Sequence, residues 1–152
     1  MWTPNSLITA AIAELELSAE SFRLLGELES TRLHSAITSH FLTVENALFW
    51  WEVLSLPYHS WSPDSDAFKQ VPLIVPDPEE RIWFVPQDAP EKPIFETSTT
   101  TAIRVIGECA AFEYAICSKT LEWMIIENHH DCIIAVGREV IERMTRLEES
   151  AR

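Results

Sequence analysis

Glycine is scarce: Gly26, Gly107 and Gly137 are the only three in 152 residues. Phosphate-cradling loops, dinucleotide fingerprints and nucleophile elbows all need clustered glycines, so none of them can be written here. Cysteine is also sparse. Cys109, Cys117 and Cys132 are odd in number, lie in apolar runs and lack CxxC spacing, so they read as reduced core residues of a cytoplasmic protein. Basic residues are few, with 11 Lys and Arg against 24 Asp and Glu and a formal charge of -13. That balance repels nucleic acid and anionic membrane surfaces; it suits either plain solubility or a basic protein partner. No apolar run approaches the ~20 residues of a membrane helix, and the N-terminus MWTPNSLITAAIAELELSAE lacks the basic start of a signal peptide.

What is present is one long apolar stretch, Phe112 to Gly137, which is apolar on both alternating faces. It reads as three short strands in an antiparallel meander. Phe112, Tyr114 and Ile116 point one way, and Glu113, Ala115 and Cys117 the other. Ser118-Lys119-Thr120 makes the first turn, and Trp123 is expected to be buried mid-strand. Glu127-Asn128-His129-His130-Asp131 ends the second strand and forms the next turn.

Ahead of the meander, Thr3-Pro4 starts a helix to about Leu17. Ser18 to Gly26 fits a short helix or a short strand. Leu33, Ile37 and Phe41 mark a second helix, and Thr43 caps a third over Val44 to Leu54. That third helix carries Phe49, Trp50 and Trp51, and successive side chains on a helix are ~100° apart, so at least one of the three belongs at a second interface. The segment from Pro57 to Pro93 holds eight of the nine prolines, and its apolar runs Val71–Val75 and Arg81–Val85 read as edge strands or a marginal hairpin. Ile94 to Glu96 adds a short strand, Thr97 to Thr100 a cap cluster, and Ala102 to Ala110 a helix. Val140, Ile141, Met144 and Leu147 form the stripe of a final helix, with Glu139–Arg143 and Glu142–Arg146 as i,i+4 pairs.

The expected architecture is therefore a single α+β domain over residues 1–152, with an antiparallel sheet of about five strands and helices packed mainly on one face. Its parts are a helical region (4–54), proline-rich edge strands (57–96), and a helix, meander and final helix (97–152).

Chemistry has one candidate. Glu127 and His129 share a strand face in this reading, with His130 opposite and Asp131 turning away. These four could support a small metal-dependent or acid-base enzyme, although adjacent histidines in a turn are a weak form of the usual ligand spacing. The bland reading is a hairpin turn in which Asn128 and Asp131 cap backbone amides. No catalytic residue and no cofactor is expected on the main reading.

Trp123, Glu127, His129, His130 and Asp131, together with the FEYAI strand and the FWWEVLS stretch from Phe49 to Ser55, carry a resemblance. Over roughly residues 45–137 the chain resembles a group of small uncharacterised bacterial proteins, similar in size and acidity to immunity proteins of bacterial toxin systems. The resemblance by itself assigns no activity; small size, concentrated acidity, the lack of a catalytic motif and spare aromatics together lead to the expectation of a cytoplasmic immunity protein that covers the active site of a basic toxin domain and is not an enzyme. Residues 64–96 hold 8 acids against 3 bases, so the expected contact is Asp64, Asp66, Asp77, Glu79 and Glu80, with Trp50 or Trp61 as an aromatic anchor.

Overall fold

A computed structural model describes residues 4–64, 66–87, 92–109 and 112–151. Its elements are α1 (Pro4–Glu14), β1 (Arg23–Leu24), α2 (Glu27–Phe41), β2 (Tyr58–Trp61), α3 (Val71–Ile74), β3 (Arg81–Pro86), β4 (Phe95–Ser98), α4 (Thr99–Gly107), β5 (Tyr114–Ser118), β6 (Met124–Glu127), β7 (Ile133–Val136) and α5 (Arg138–Ser150). Among the described residues the strands form one open antiparallel sheet in the order β1-β4-β3-β5-β6-β7-β2. The α+β class holds. The sheet has seven strands instead of about five, because Arg23–Leu24 and Tyr58–Trp61 add one strand at each edge.

Every residue of β5, β6 and β7 is buried, which is why these segments are apolar on both faces. One face carries Phe84, Tyr114, Ile116, Ile125 and Ala135 and packs against α1, α3, α4 and α5 through Ile8, Ile74, Val105 and Met144. The other carries Val85, Ala115, Cys117, Met124, Ile126 and Val136 beneath Ile37 and Phe41 of α2. Trp123 is buried on the first face, in the turn just before β6. Ser118 Oγ fastens that turn by accepting from the amides of Glu122 (2.9 Å) and Trp123 (3.3 Å).

Three expectations are corrected. Val44 to Leu54 is not a helix: only Trp50–Glu52 forms a 3-10 turn. The segment is a loop closed at its base by the Leu42–Leu54 bridge, and the Thr43 amide donates to the Val53 carbonyl (2.8 Å) instead of the Thr43 side chain capping a helix. A helix would have spread the three rings around its axis, whereas the loop buries Trp50 and sends Trp51 to the end of the sheet. Val71–Ile74 is helical, not a strand, since Pro72 falls in a first turn where its missing amide costs nothing and a 3-10 turn over Ala67–Gln70 leads into it. Finally, β3 lies inside the sheet between β4 and β5, and Pro86 is tolerated there because it is the last residue of the strand.

α1 ends at Glu14, short of Leu17, and the expected cap at Thr3 and the helical residue Ala110 lie outside the described residues. α4 is capped by Ser98, whose Oγ accepts from the Thr101 amide (3.1 Å). In α5 the i,i+4 pair formed is Arg138–Glu142 (3.1 Å). Gly137 turns the chain into α5 at φ +110°, with its Cα packed against the backbone of Glu122 and Trp123.

Candidate functional site

Tyr114 pairs with Glu127 across β5 and β6, so the residues flanking that pair meet at one end of the sheet. Glu113, one residue before β5, points to the α2 side with Ala115 and Cys117. Its side chain is 5% exposed. Oε1 of Glu113 accepts from the backbone amide of His129 (3.0 Å), from the indole N–H of Trp51 (3.3 Å) and from His129 Nδ1. Three donors from two chain segments thus converge on one buried carboxylate oxygen. With Nδ1 turned inward, His129 directs Nε2 away from Glu113, and its side chain is 48% exposed.

The turn that carries His129 is built by Asn128. Its Oδ1 accepts from the amides of His130 (2.9 Å) and Cys132 (3.2 Å), and its own amide donates to the Cys132 carbonyl (3.0 Å). Asp131 takes a left-handed conformation at φ 56°, which a short polar side chain tolerates. Around the turn the rings cluster: His129 on His130 (3.9 Å between centroids), Phe49 on His129 (5.7 Å) and on Trp51 (5.7 Å), and Trp51 edge-on to His129 (6.0 Å) and His130 (6.2 Å). Leu48, beside Phe49 in sequence, is 69% exposed.

Glu127 and His129 do not share a face. Glu127 follows Ile125 onto the side covered by α1, α3, α4 and α5, where its Oε1 accepts from the Tyr114 hydroxyl (2.6 Å). Burial, aided by Asp131, raises the Glu127 carboxyl above the usual range, although the Tyr114 bond pulls the other way. Tyr114 is raised well above its ordinary value by burial and by Glu127. The pair is a buried hydrogen bond on the far side of the sheet from Glu113. Glu127, His129, His130 and Asp131 therefore do not converge. Among the described residues no group of three or more His, Cys, Asp or Glu side chains is arranged to hold a metal ion.

Asp64, Asp66, Asp77, Glu79 and Glu80 are all exposed, on the loops before and after the segment that contains α3. Asp66 pairs with Lys69 (2.9 Å), and Asp77 Oδ1 accepts from the Glu79 amide (2.9 Å). Trp61 is half-buried in the edge strand β2 against the first core. Trp50 is 1% exposed beneath α2, so it is a core residue and cannot be a surface anchor.

A protein-family model described as a family of unknown function (DUF6756) matches residues 5–148. The chain belongs to that family. Comparison with curated proteins and with solved structures gives no match. The DUF6756 span takes in all seven strands, so Trp51, Glu113 and the 128–131 turn are part of it. Glu113 is absent from the residues expected at a site, and Trp51 enters the sequence reading only as one of three aromatics, at least one of which belongs at a second interface. The available signal was Glu113 itself: a lone carboxylate on a strand face whose next positions are Ala115 and Cys117 needs buried donors.

Proposed function

We propose that the chain is a protein-binding module of the immunity type, which neutralises a basic toxin domain by docking the surface formed by Leu48, Phe49, Trp51, His129 and His130. One observation carries the reading: a buried carboxylate fixes a half-exposed aromatic cluster at the surface. Burying Glu113 is unfavourable in itself, and its three donors hold ring positions that core packing does not need. Aromatic residues dominate contact hot spots, and rings already fixed lose little entropy on docking. Glu45, Glu52 and Asp131, close in sequence to members of the cluster, are exposed, and the net charge of -13 favours a basic partner. Asp64, Asp66, Asp77, Glu79 and Glu80 steer approach on this reading, with Trp61 at the margin.

The test is to search the neighbourhood of this chain's gene for a toxic domain and to co-express the two, with host growth and binding kinetics as readouts; a neighbourhood without one counts against the proposal. Trp51→Ala is expected to speed dissociation at least tenfold. Joint reversal of Asp77, Glu79 and Glu80 to Lys is expected to slow association and flatten its dependence on salt. Growth arrest that the wild-type chain fails to relieve overturns the proposal.

A second reading, acid-base chemistry at His129, is favoured by the Glu113 bond to Nδ1, which leaves Nε2 facing outward as a base. Loss of function in His129→Gln with partner affinity intact would select it.

A further inference from the structure

The N–H groups around the His129 turn are spent on internal acceptors. The Trp51 indole N–H and the His129 amide both end on Glu113 Oε1. The amides of His130 and Cys132 end on Asn128 Oδ1, and that of Asp131 on the Asn128 carbonyl. A carboxylate oxygen that already accepts from two N–H groups has no proton to give, so in the neutral His129 ring Nδ1 is the protonated nitrogen and Nε2 carries the lone pair.

What remains for a ligand is a set of acceptors. His129, His130 and Asp131 are exposed, and their carbonyls accept no hydrogen bond among the described residues. The Asp131 carboxylate likewise makes no ion pair or side-chain hydrogen bond among them. With these acceptors and Nε2 stand the half-buried rings of Phe49 and Trp51, whose faces carry the negative side of the ring quadrupole. The His130 ring, stacked on His129 at 3.9 Å, is fixed by no hydrogen bond among the described residues and can present either nitrogen.

We infer, resting on the protein-binding reading above, that the partner's anchor at this site is an arginine side chain, with its guanidinium against the Phe49 and Trp51 rings and its N–H groups on His129 Nε2 and the turn carbonyls. Guanidinium combines a flat face for the rings with five donors spread around its edge, and its charge suits a chain of net charge -13. A carboxylate or phosphate would meet only acceptors and like charge. An aliphatic anchor would cover Nε2 and the carbonyls with nothing to donate to them. Lysine offers its donors from one compact ammonium and has no flat face to lay on the rings.

The experiment is nuclear magnetic resonance on the full chain, in two arms. Long-range nitrogen–proton correlations at pH 8 read the His129 tautomer, and the proton is expected on Nδ1. Titration with acetyl-arginine amide is expected to move the Trp51 indole and His129 ring signals, and to bind about fivefold or more tighter than the lysine and citrulline equivalents; citrulline keeps the shape of arginine without its charge. The glutamate equivalent is expected to leave the signals in place. Phe49→Leu removes one ring and breaks no side-chain hydrogen bond, so it is expected to weaken arginine about threefold or more with the tautomer unchanged. A proton on Nε2, lysine or citrulline binding as tightly as arginine, glutamate binding, no response to arginine, or arginine binding untouched in Phe49→Leu overturns the inference. The probe needs no toxin, so the two readings fail separately: a chain that relieves its toxin but ignores arginine loses only the anchor, and one that binds arginine but relieves no toxin loses only the immunity role.

Discussion

Removing the Glu113 carboxylate tests the site at its centre. Glu113→Ala strips the acceptor from three N–H groups at once: the His129 amide at 3.0 Å, the Trp51 indole at 3.3 Å and His129 Nδ1. A hydrogen bond to a charged group contributes about 1.5–3 kcal/mol net, and a donor stranded in the interior costs about 1–3 kcal/mol. The three bonds share one oxygen and do not add. The His129 ring and the Trp51 edge are partly exposed, so water replaces some of what they lose. The expected loss for Glu113→Ala is therefore about 2–4 kcal/mol, well below a simple sum. Glu113→Gln keeps an acceptor oxygen and should lose about half as much. His129→Ala removes the ring bond and leaves the amide bond in place, for about 1 kcal/mol. Urea unfolding of the three variants and of the Glu113→Ala/His129→Ala double variant measures the coupling directly. A loss under about 1 kcal/mol for Glu113→Ala, or no coupling between the positions, would refute the convergence on this carboxylate.

Two further outcomes follow from the same geometry. The Glu127 carboxyl is raised by burial, so between its unfolded and folded pKa the native state binds more protons and stability falls as pH rises through that window. Glu127→Gln keeps an acceptor for Tyr114 and removes the titration; its stability relative to wild type should climb as pH rises above the ordinary carboxylate range and level off once the buried carboxyl has ionised, and a difference that stays constant with pH in urea titrations counts against the buried pair. Gly137→Ala would place a Cβ 2.6 Å from the Glu122 carbonyl oxygen at φ +110°, so it should cost about 3–5 kcal/mol, and denaturation showing under about 1 kcal/mol would mean the turn into α5 is drawn wrongly.

The parts of the fold that the sequence announces are those where one local pattern decides the outcome. The Phe112–Gly137 meander is legible because strands buried on both faces must be apolar at every position, and α5 because a wide charged face leaves only one apolar stripe. The loop over residues 42–54 is not legible, because a capping threonine and a run of large apolar residues fit a helix locally. What rules the helix out is distant: Trp50 belongs under α2, and the Trp51 indole donates to a residue 62 positions away. Val71–Val75 misleads for a similar reason. A five-residue apolar run fits a strand or one buried helical turn equally well, and Pro72 tips it to the helix only once the preceding 3-10 turn is known.

The site shows the same limit more sharply. Asn128 to Asp131 is visibly a polar turn, and its histidines are visibly unusual, yet the residue that organises them lies 16 positions upstream. Pairing Tyr114 with Glu127 decides this. A register shifted by one residue would carry Glu127 to the α2 side and His129 away from Glu113, because side chains alternate faces at every step along a strand. Sequence alone does not specify that register. It does contain the requirement: Glu113 interrupts an apolar face, and a carboxylate there must find donors or be expelled. The requirement narrows the search to turn residues and loop aromatics that can reach the end of β5, and in this chain Trp51 and His129 meet it together.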